Sequence, residues 1–353
     1  MHSEKHIITL SKLVVRMALL VFSSLALVLF LYSTGHKGLV FDFYFTETVE
    51  SGTPSTNEGY FTRDFNISEL GSSIMDSTIR FGYNIVTNTS EHIGPHSLDI
   101  EKRFAGNNLN CQNCHLNAGT KPFSAPFVGV TSRFPQYRGR ENTIGSIEER
   151  INGCMERSMN GMKMPENSSE MRALVSYMNW LSKDVPTGKK IVGSGFKKIV
   201  LPNRMVDLEN GENVFIKHCV VCHSEDGKGQ LMVDSNIYQY PPVAGEDSYN
   251  HGAGMHRVIT AAQFIKSNMP LGATAESSIL TDAEAYDVAG FINSLARPFK
   301  ENTDIDFPDL KRKPMSTPYG PYADEFSVEQ HRYGPFNEIK KWYFENYSMS
   351  KSK

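Results

Sequence analysis

Cys111-Gln112-Asn113-Cys114-His115 is the stretch that decides the fold. It is the attachment signature of a c-type haem. Two thiols bond to the haem vinyl groups, and the adjacent His is placed to ligate the iron. The arrangement recurs as Cys219-Val220-Val221-Cys222-His223. The chain has five cysteines in 353 residues. Four belong to the two signatures, so a pair of zinc sites would lack the further ligands it needs. The fifth, Cys154, has no thiol left to make a structural disulfide. The reading is two covalently bound haem c groups, held by Cys111, Cys114, Cys219 and Cys222. His115 and His223 are the proximal iron ligands. Haem attachment of this kind normally takes place outside the bacterial cytoplasm.

Outward from the signatures, one plan appears twice, an internal duplication. A helix over about 68–88, with Leu70, Ile74, Ile79 and Tyr83 among its apolar positions, precedes the first signature. After it, Pro122, Pro126 and Pro135 mark a loop that carries Arg133, Arg138 and Arg140. Ser146-x-x-Glu149 is a capping box that opens a helix, and Gly161 is its candidate stop. Ile147, Ile151, Cys154 and Met155 share one face of that helix. Arg150, Cys154 and Ser158, spaced four apart, form a stripe. A further helix follows over about 167–182.

In the second half, a helix over about 207–218 runs into the signature. A loop with Pro241, Pro242 and Gly245 follows. A helix near 255–266 ends in Asn268-Met269-Pro270, and Thr281-x-x-Glu284 caps a closing helix that reaches about Ala296. The closing helices share a pattern, Tyr177-Met178-Asn179-Trp180-Leu181 against Phe291-Ile292-Asn293-Ser294-Leu295.

The expected fold is mainly α: two class-I cytochrome c-like domains in tandem, an N-terminal transmembrane helix and an irregular C-terminal strap. The expected bounds are 1–34 for a membrane anchor or signal, 35–65 for a tether and 66–184 for the first cytochrome domain. A linker over 185–206, the second domain over 207–297 and a C-terminal extension over 298–353 complete the chain. The extension is dense in Pro and aromatics and reads as a strap packed over both domains.

Net charge is −3, which gives no footprint for nucleic acid. Lys5, Lys12 and Arg16 precede an uncharged run from Met17 to Tyr32. With Leu13, Val14 and Val15 it amounts to roughly 20 residues, enough for one span of the cytoplasmic membrane. The positive residues would hold the N-terminus in the cytoplasm and place the rest on the periplasmic face. A cleaved signal, leaving a soluble periplasmic protein, is the alternative. No clear small-x-small site stands near Ser33-Thr34-Gly35, which favours the anchor.

On the far side of the second haem, Met269 is the natural sixth ligand. It precedes a Pro and lies 46 residues after His223 (269 − 223). His251 and His256 are rivals, and His218 reads as a surface residue. For the first haem, Met164 also precedes a Pro, 49 residues after His115 (164 − 115), and Cys154 lies 39 after it (154 − 115). Spacing favours Met164, with Cys154 a buried free thiol.

The run Arg150-Ile151-Asn152-Gly153-Cys154-Met155-Glu156-Arg157-Ser158-Met159-Asn160-Gly161 resembles the signature of the dihaem thiosulfate dehydrogenase family. Phe104 to Asn110, Phe134 to Arg140 and Phe264 to Pro270 support the resemblance, which covers about 70–296. The resemblance implies that Cys154 ligates the first haem as a thiolate and that Arg140, Arg150 and Ser158 line a substrate site. It implies interconversion of thiosulfate and tetrathionate (2 thiosulfate = tetrathionate + 2 electrons) in the first domain, with the second domain relaying electrons. The redox partner would be a c-type cytochrome or a quinol-linked complex.

Sulfur-transferring cytochromes also use a haem-ligating Cys, so a thiosulfate-conjugating transferase is one alternative. A membrane-anchored electron carrier with Met164 and Met269 as sixth ligands is the other. Some family members carry Lys immediately before the distal Met of the second haem. Here that position is Asn268, so Met269 is expected to ligate in both redox states.

Overall fold

The computed structural model describes Lys12, residues 14–26 and residues 65–351. Residues 14–26 are helical. The rest of the expected membrane run and the tether up to 64 lie outside the described residues. Among the described residues no helix is long and apolar enough to cross a membrane. The expected transmembrane helix therefore has no support from a helix of sufficient length.

The first half is framed by α1 (Ile74–Thr87), α2 (Ile147–Met155) and α3 (Ser169–Ser182). Helix α1 starts later than its periodicity predicts. Ser73 and Asp76 form a capping box that fixes the first turn there, and Ile74 stays 89% exposed instead of joining the core. The second half repeats the frame with α4 (Leu208–His218), α5 (Val258–Asn268) and α6 (Asp282–Ser294).

In each half the opening helix packs on the closing one, α1 on α3 and α4 on α6. A glycine sits at each crossing. A methyl on Gly82 would overlap the Ala173 carbonyl oxygen beside Tyr177, and one on Gly211 would overlap that of Asp287 beside Phe291. Tyr177 and Phe291 are equivalent positions of the shared closing pattern, so the duplication extends to the way the helices touch. Each half has its own core, around Ile85, Met171 and Tyr177 in the first and Phe215, Val288 and Tyr286 in the second.

Polar contacts join the halves. The Asn108 N–H donates to Asp247 Oδ1 (2.7 Å), Asn250 Nδ2 to the Glu156 carbonyl (2.9 Å) and Lys121 Nζ to the Ala273 carbonyl (2.9 Å). Residues 185–206 have no helix or strand, as expected of a linker. They are not a loose tether, though. The Gly193 carbonyl accepts from the Phe123 N–H (2.7 Å), and Phe196 packs edge-on against Phe264.

The C-terminal extension is less irregular than expected, because it contains α7 (Val328–Tyr333) and α8 (Phe336–Tyr347). Phe336, Ile339 and Tyr343, at helical spacing, are buried in the second core. The density of Pro and aromatics masks that period in the sequence. The extension touches both halves. The Phe307 N–H donates to the Arg140 carbonyl (2.8 Å), and the Tyr286 hydroxyl to that of Tyr333 (2.6 Å).

Candidate active site

A cavity of about 410 Å³ opens beside the first signature. Cys111, Cys114, His115 and Cys154 all line it, with Val86, Leu109, Phe127 and Leu174 among its apolar walls. The His115 Nδ1 faces the Ala125 carbonyl oxygen at 2.6 Å, which fixes the ring and leaves Nε2 for the cavity. His223 is held the same way, its Nδ1 at 2.8 Å from the Pro241 carbonyl oxygen. In each half, then, two thiols stand beside a histidine oriented by a backbone carbonyl. This donor set fits a covalently attached haem.

Helix α2 delivers the far side of the cavity. Its capping box closes with Ser146 Oγ accepting from the Glu149 N–H (3.1 Å) and Glu149 Oε2 accepting from the Ser146 N–H (2.7 Å). One turn apart on this helix, Arg150 Nη1 donates to Cys154 Sγ at 3.0 Å. Cys154 differs from Cys111, Cys114 and Cys219. Burial pushes Cys111 up to about 11, and Cys114 and Cys219 up to about 12. Burial acts on Cys154 too, but the Arg150 charge and a hydrogen bond from His115 outweigh it and draw this thiol down to about 6. The Arg150 charge, 3.0 Å from the sulfur, favours the thiolate at Cys154.

Helix α2 ends at Met155, short of Gly161, so Ser158 is not on it. The Met159 carbonyl accepts instead from the N–H groups of Gly106 (2.8 Å) and Asn107 (3.1 Å). That long-range pairing anchors the turn that follows the helix. Ser158 lines the cavity all the same, from the turn.

Arg140 lines it from the turn of a short hairpin, between β1 (Gln136–Arg138) and its antiparallel partner β2 (Thr143–Gly145). Its guanidinium is not free. Nη1 pairs with Asp306 and donates to the Tyr319 hydroxyl (3.0 Å), while Arg157 Nη2 takes the other Asp306 oxygen (2.7 Å). Burial works against the Asp306 charge, but Arg140 and Arg157 hold its carboxyl below the usual range.

Met164, the ligand that spacing favoured, is buried in the first core and does not line the cavity. Its backbone N–H and carbonyl both pair with the Asn152 side chain (2.8 and 3.0 Å). In the second half, Met269 follows directly on α5 and packs against the same core as Cys219. The rival histidines have other contacts. Both ring nitrogens of His256 face backbone carbonyls, of His251 (2.9 Å) and Asn293 (3.1 Å). The His251 Nδ1 accepts from the Lys300 N–H (2.9 Å), and its ring stacks on Phe299.

Residues 101–187 match a family model described as SoxA/TsdA, cytochrome c domain, and residues 208–296 match one described as cytochrome c. A thiosulfate dehydrogenase of Allochromatium vinosum is 43% identical over 205 residues, 57% of this chain and 74% of that protein. The chain belongs to the thiosulfate dehydrogenase family. A relative of the same name from Psychrobacter arcticus is 46% identical over 220 residues, 62% of this chain. The match spans 65% of that protein, and 62% of the Stutzerimonas stutzeri thiosulfate dehydrogenase, under two thirds of each. The solved thiosulfate dehydrogenase TsdBA of Marichromatium purpuratum superposes with a TM-score of 0.63 at 32% identity, over 74% of this chain and 54% of that one.

Against the family pattern, Asn268 replaces the lysine that some members carry. Its amide Nδ2 donates to the carbonyls of Phe264 (3.0 Å) and Phe123 (3.1 Å). Both matched domains end before residue 297, so Asp306 and Tyr319 come from outside them. Sequence reasoning missed these two, along with Arg257 and Thr260, which also line the cavity or hold its arginines. Arg257 did carry a signal. It sits at the N-cap of α5, where Ser, Thr, Asp or Asn is the rule and a cation is disfavoured.

Proposed function

We propose that the protein interconverts thiosulfate and tetrathionate, joining two thiosulfates with release of two electrons or running in reverse. The observation that carries this reading is the Cys154 sulfur, in the first haem's cavity and hydrogen-bonded by Arg150. His115 and Cys154 would hold the first iron, and His223 and Met269 the second. Bound haem supplies an iron that takes one electron at a time, so the pair accepts the two electrons of one turnover.

The chain's own groups do the rest. Thiosulfate is a small dianion, and bringing two together requires fixed positive charge. Arg150 presents a planar donor array to sulfonate oxygens, and Arg140, aimed by Asp306, adds a second. Ser158 supplies a neutral donor.

Cys154 acts as a sulfur nucleophile. Its thiolate bonds to the outer sulfur of one thiosulfate, and that oxidation releases two electrons. The second thiosulfate attacks the same sulfane sulfur, the Cys–sulfur bond breaks, and tetrathionate leaves with the thiolate regenerated. An electron carrier without its own substrate would use Met164, which is packed in the core instead. The fold class of the two domains also supports the bounds 66–184 for the catalytic and 207–297 for the relay domain.

We place the protein on the periplasmic face of the cytoplasmic membrane, passing electrons to a c-type cytochrome or a quinol-linked complex. The support is the haem attachment and the uncharged run from Met17 to Tyr32. Fractionation with N-terminal sequencing checks it, and a mature chain starting near residue 35 would remove the anchor.

The deciding experiment assays the purified holoprotein in both directions, thiosulfate with an artificial acceptor and tetrathionate with a reduced dye. Turnover in either direction is expected, with a sulfane mass increase on the Cys154 peptide. Silence in both, with both haems attached, overturns the reading.

A further inference from the structure

The second half supplies part of the first cavity's wall, including Met255, Arg257 and Thr260. Arg257 is the N-cap of α5, yet its side chain makes no capping hydrogen bond. Its Nε is closed off from solvent without a partner. No carboxylate pairs with it among the described residues. Asp306, the carboxylate whose charge acts on it, already holds Arg157 with one oxygen and Arg140 and Tyr319 with the other. Burial, then the neighbouring charges of Arg140 and Arg150, pull the Arg257 guanidinium down to about 10. A second unpartnered group stands one turn away. Thr260 is 6% exposed, and its Oγ1 is buried with no hydrogen bond. Between them lies the N-terminus of an 11-residue helix, whose first N–H groups have no intrahelical acceptor and whose dipole favours an anion.

An orphaned guanidinium Nε and an orphaned hydroxyl, carried by two residues that line one cavity and flank a helix N-terminus, share one complement. We propose that Arg257, Thr260 and the start of α5 form an oxyanion seat through which the second half completes the first half's site. Two sources offer that chemistry: the sulfonate of thiosulfate or tetrathionate, which rests on the function proposed above, and a propionate carboxylate of the first haem. With either occupant the seat ties the two halves together, because removing α5 from the cavity would strip the anion of its donors.

The test uses full-length holoprotein as wild type, Arg257→Gln, Arg257→Lys and Thr260→Val. Two quantities are read: the dissociation constant for inorganic thiosulfate, from its perturbation of the haem spectrum, and the midpoint potential of the first haem. A seated sulfonate predicts that Arg257→Gln weakens thiosulfate binding and raises KM by about 10-fold or more, the loss expected of a charge-assisted hydrogen bond. Lys restores part of it, Thr260→Val shows a smaller loss, and the potential stays put. A seated propionate predicts the opposite split: the first haem's potential falls and thiosulfate binding holds. If both quantities are unchanged in Arg257→Gln, the seat is overturned. If Arg257→Gln fails to load haem, Arg257→Lys decides: loading by the Lys variant supports the seat, and failure of both overturns it. Absence of wild-type turnover would sink the proposed function alone, since the potential is read without turnover.

Discussion

The two halves share a frame and part company beyond the haem. Each has a signature, a carbonyl-oriented histidine and a glycine at the crossing of its opening and closing helices. In the first, the far side is a thiol on α2 with Arg150 against its sulfur. In the second the proposed counterpart is a thioether, Met269, following an Asn268 whose amide bonds two backbone carbonyls. A thioether is neutral and suits a relay, whereas a thiolate in a buried cavity needs cations around it. The difference teaches that haem binding belongs to the frame, and reactivity belongs to one sulfur and the charges arranged around it.

The sharpest way to break that comparison is Cys154→Ala. The frame does not use this side chain, so both haems should still attach. Turnover should fall by about 10³-fold or more, as on loss of a nucleophile. Haem content from the absorption spectrum and steady-state rates measure the two halves of the claim. Retained turnover would remove the thiolate from the chemistry.

A second contrast concerns two buried carboxylates. Asp287 is fully buried within the second half, where Arg204 and Asn210 bond it beneath the linker. Asp306 reaches from the C-terminal extension to Arg140 and Arg157 at the first cavity. Removing the Asp306 charge leaves two buried arginines unpaired, and Asp306→Asn should cost on the order of 3 kcal/mol in denaturant unfolding; Asp287→Asn should cost less, because water reaches Arg204, whose side chain is 43% exposed. Only Asp306→Asn should also change KM for thiosulfate, because only its arginines line the site. Equal KM values in both variants would make the extension a passive strap.

These cases show what was legible in the sequence. The signatures, the capping boxes at Ser146 and Thr281 and the closing-helix pattern are local, set by residues within one or two turns. The path of the chain after α2 was not legible, because its turn is anchored at Met159 by the N–H groups of Gly106 and Asn107, about 50 residues earlier in the chain. Asp306 was still less so, lying 166 residues from Arg140. Spacing preferred Met164 to Cys154, and it misled because spacing says nothing about which side chain faces a cavity. The charge of Arg150 and the pairing of Asn152 with the Met164 backbone distinguish them.

A smaller effect tests whether the shared frame is physical repetition. Gly82→Ala and Gly211→Ala each push a methyl into a carbonyl of the facing helix. Each should destabilise by about 1–3 kcal/mol, and by similar amounts, if the crossings are equivalent. Urea denaturation followed by circular dichroism gives both values. A large cost in one half and none in the other would mean that the duplication is of sequence pattern only.

The smallest expected effect asks whether the frame and the site are separable. Ser146 caps α2, which carries Arg150 and Cys154, and Thr281 caps α6, which does not line the cavity. Both boxes have the same two reciprocal hydrogen bonds, so Ser146→Ala and Thr281→Ala should each cost about 1 kcal/mol of stability. Fraying the first turn of α2 loosens the helix one turn before Arg150, and fraying α6 leaves the cavity walls alone. Ser146→Ala should therefore lower kcat by a few-fold, with Thr281→Ala at the wild-type rate. Equal rates in the two variants would mean that Arg150 is held by its contact with the Cys154 sulfur and not by the helix that presents it.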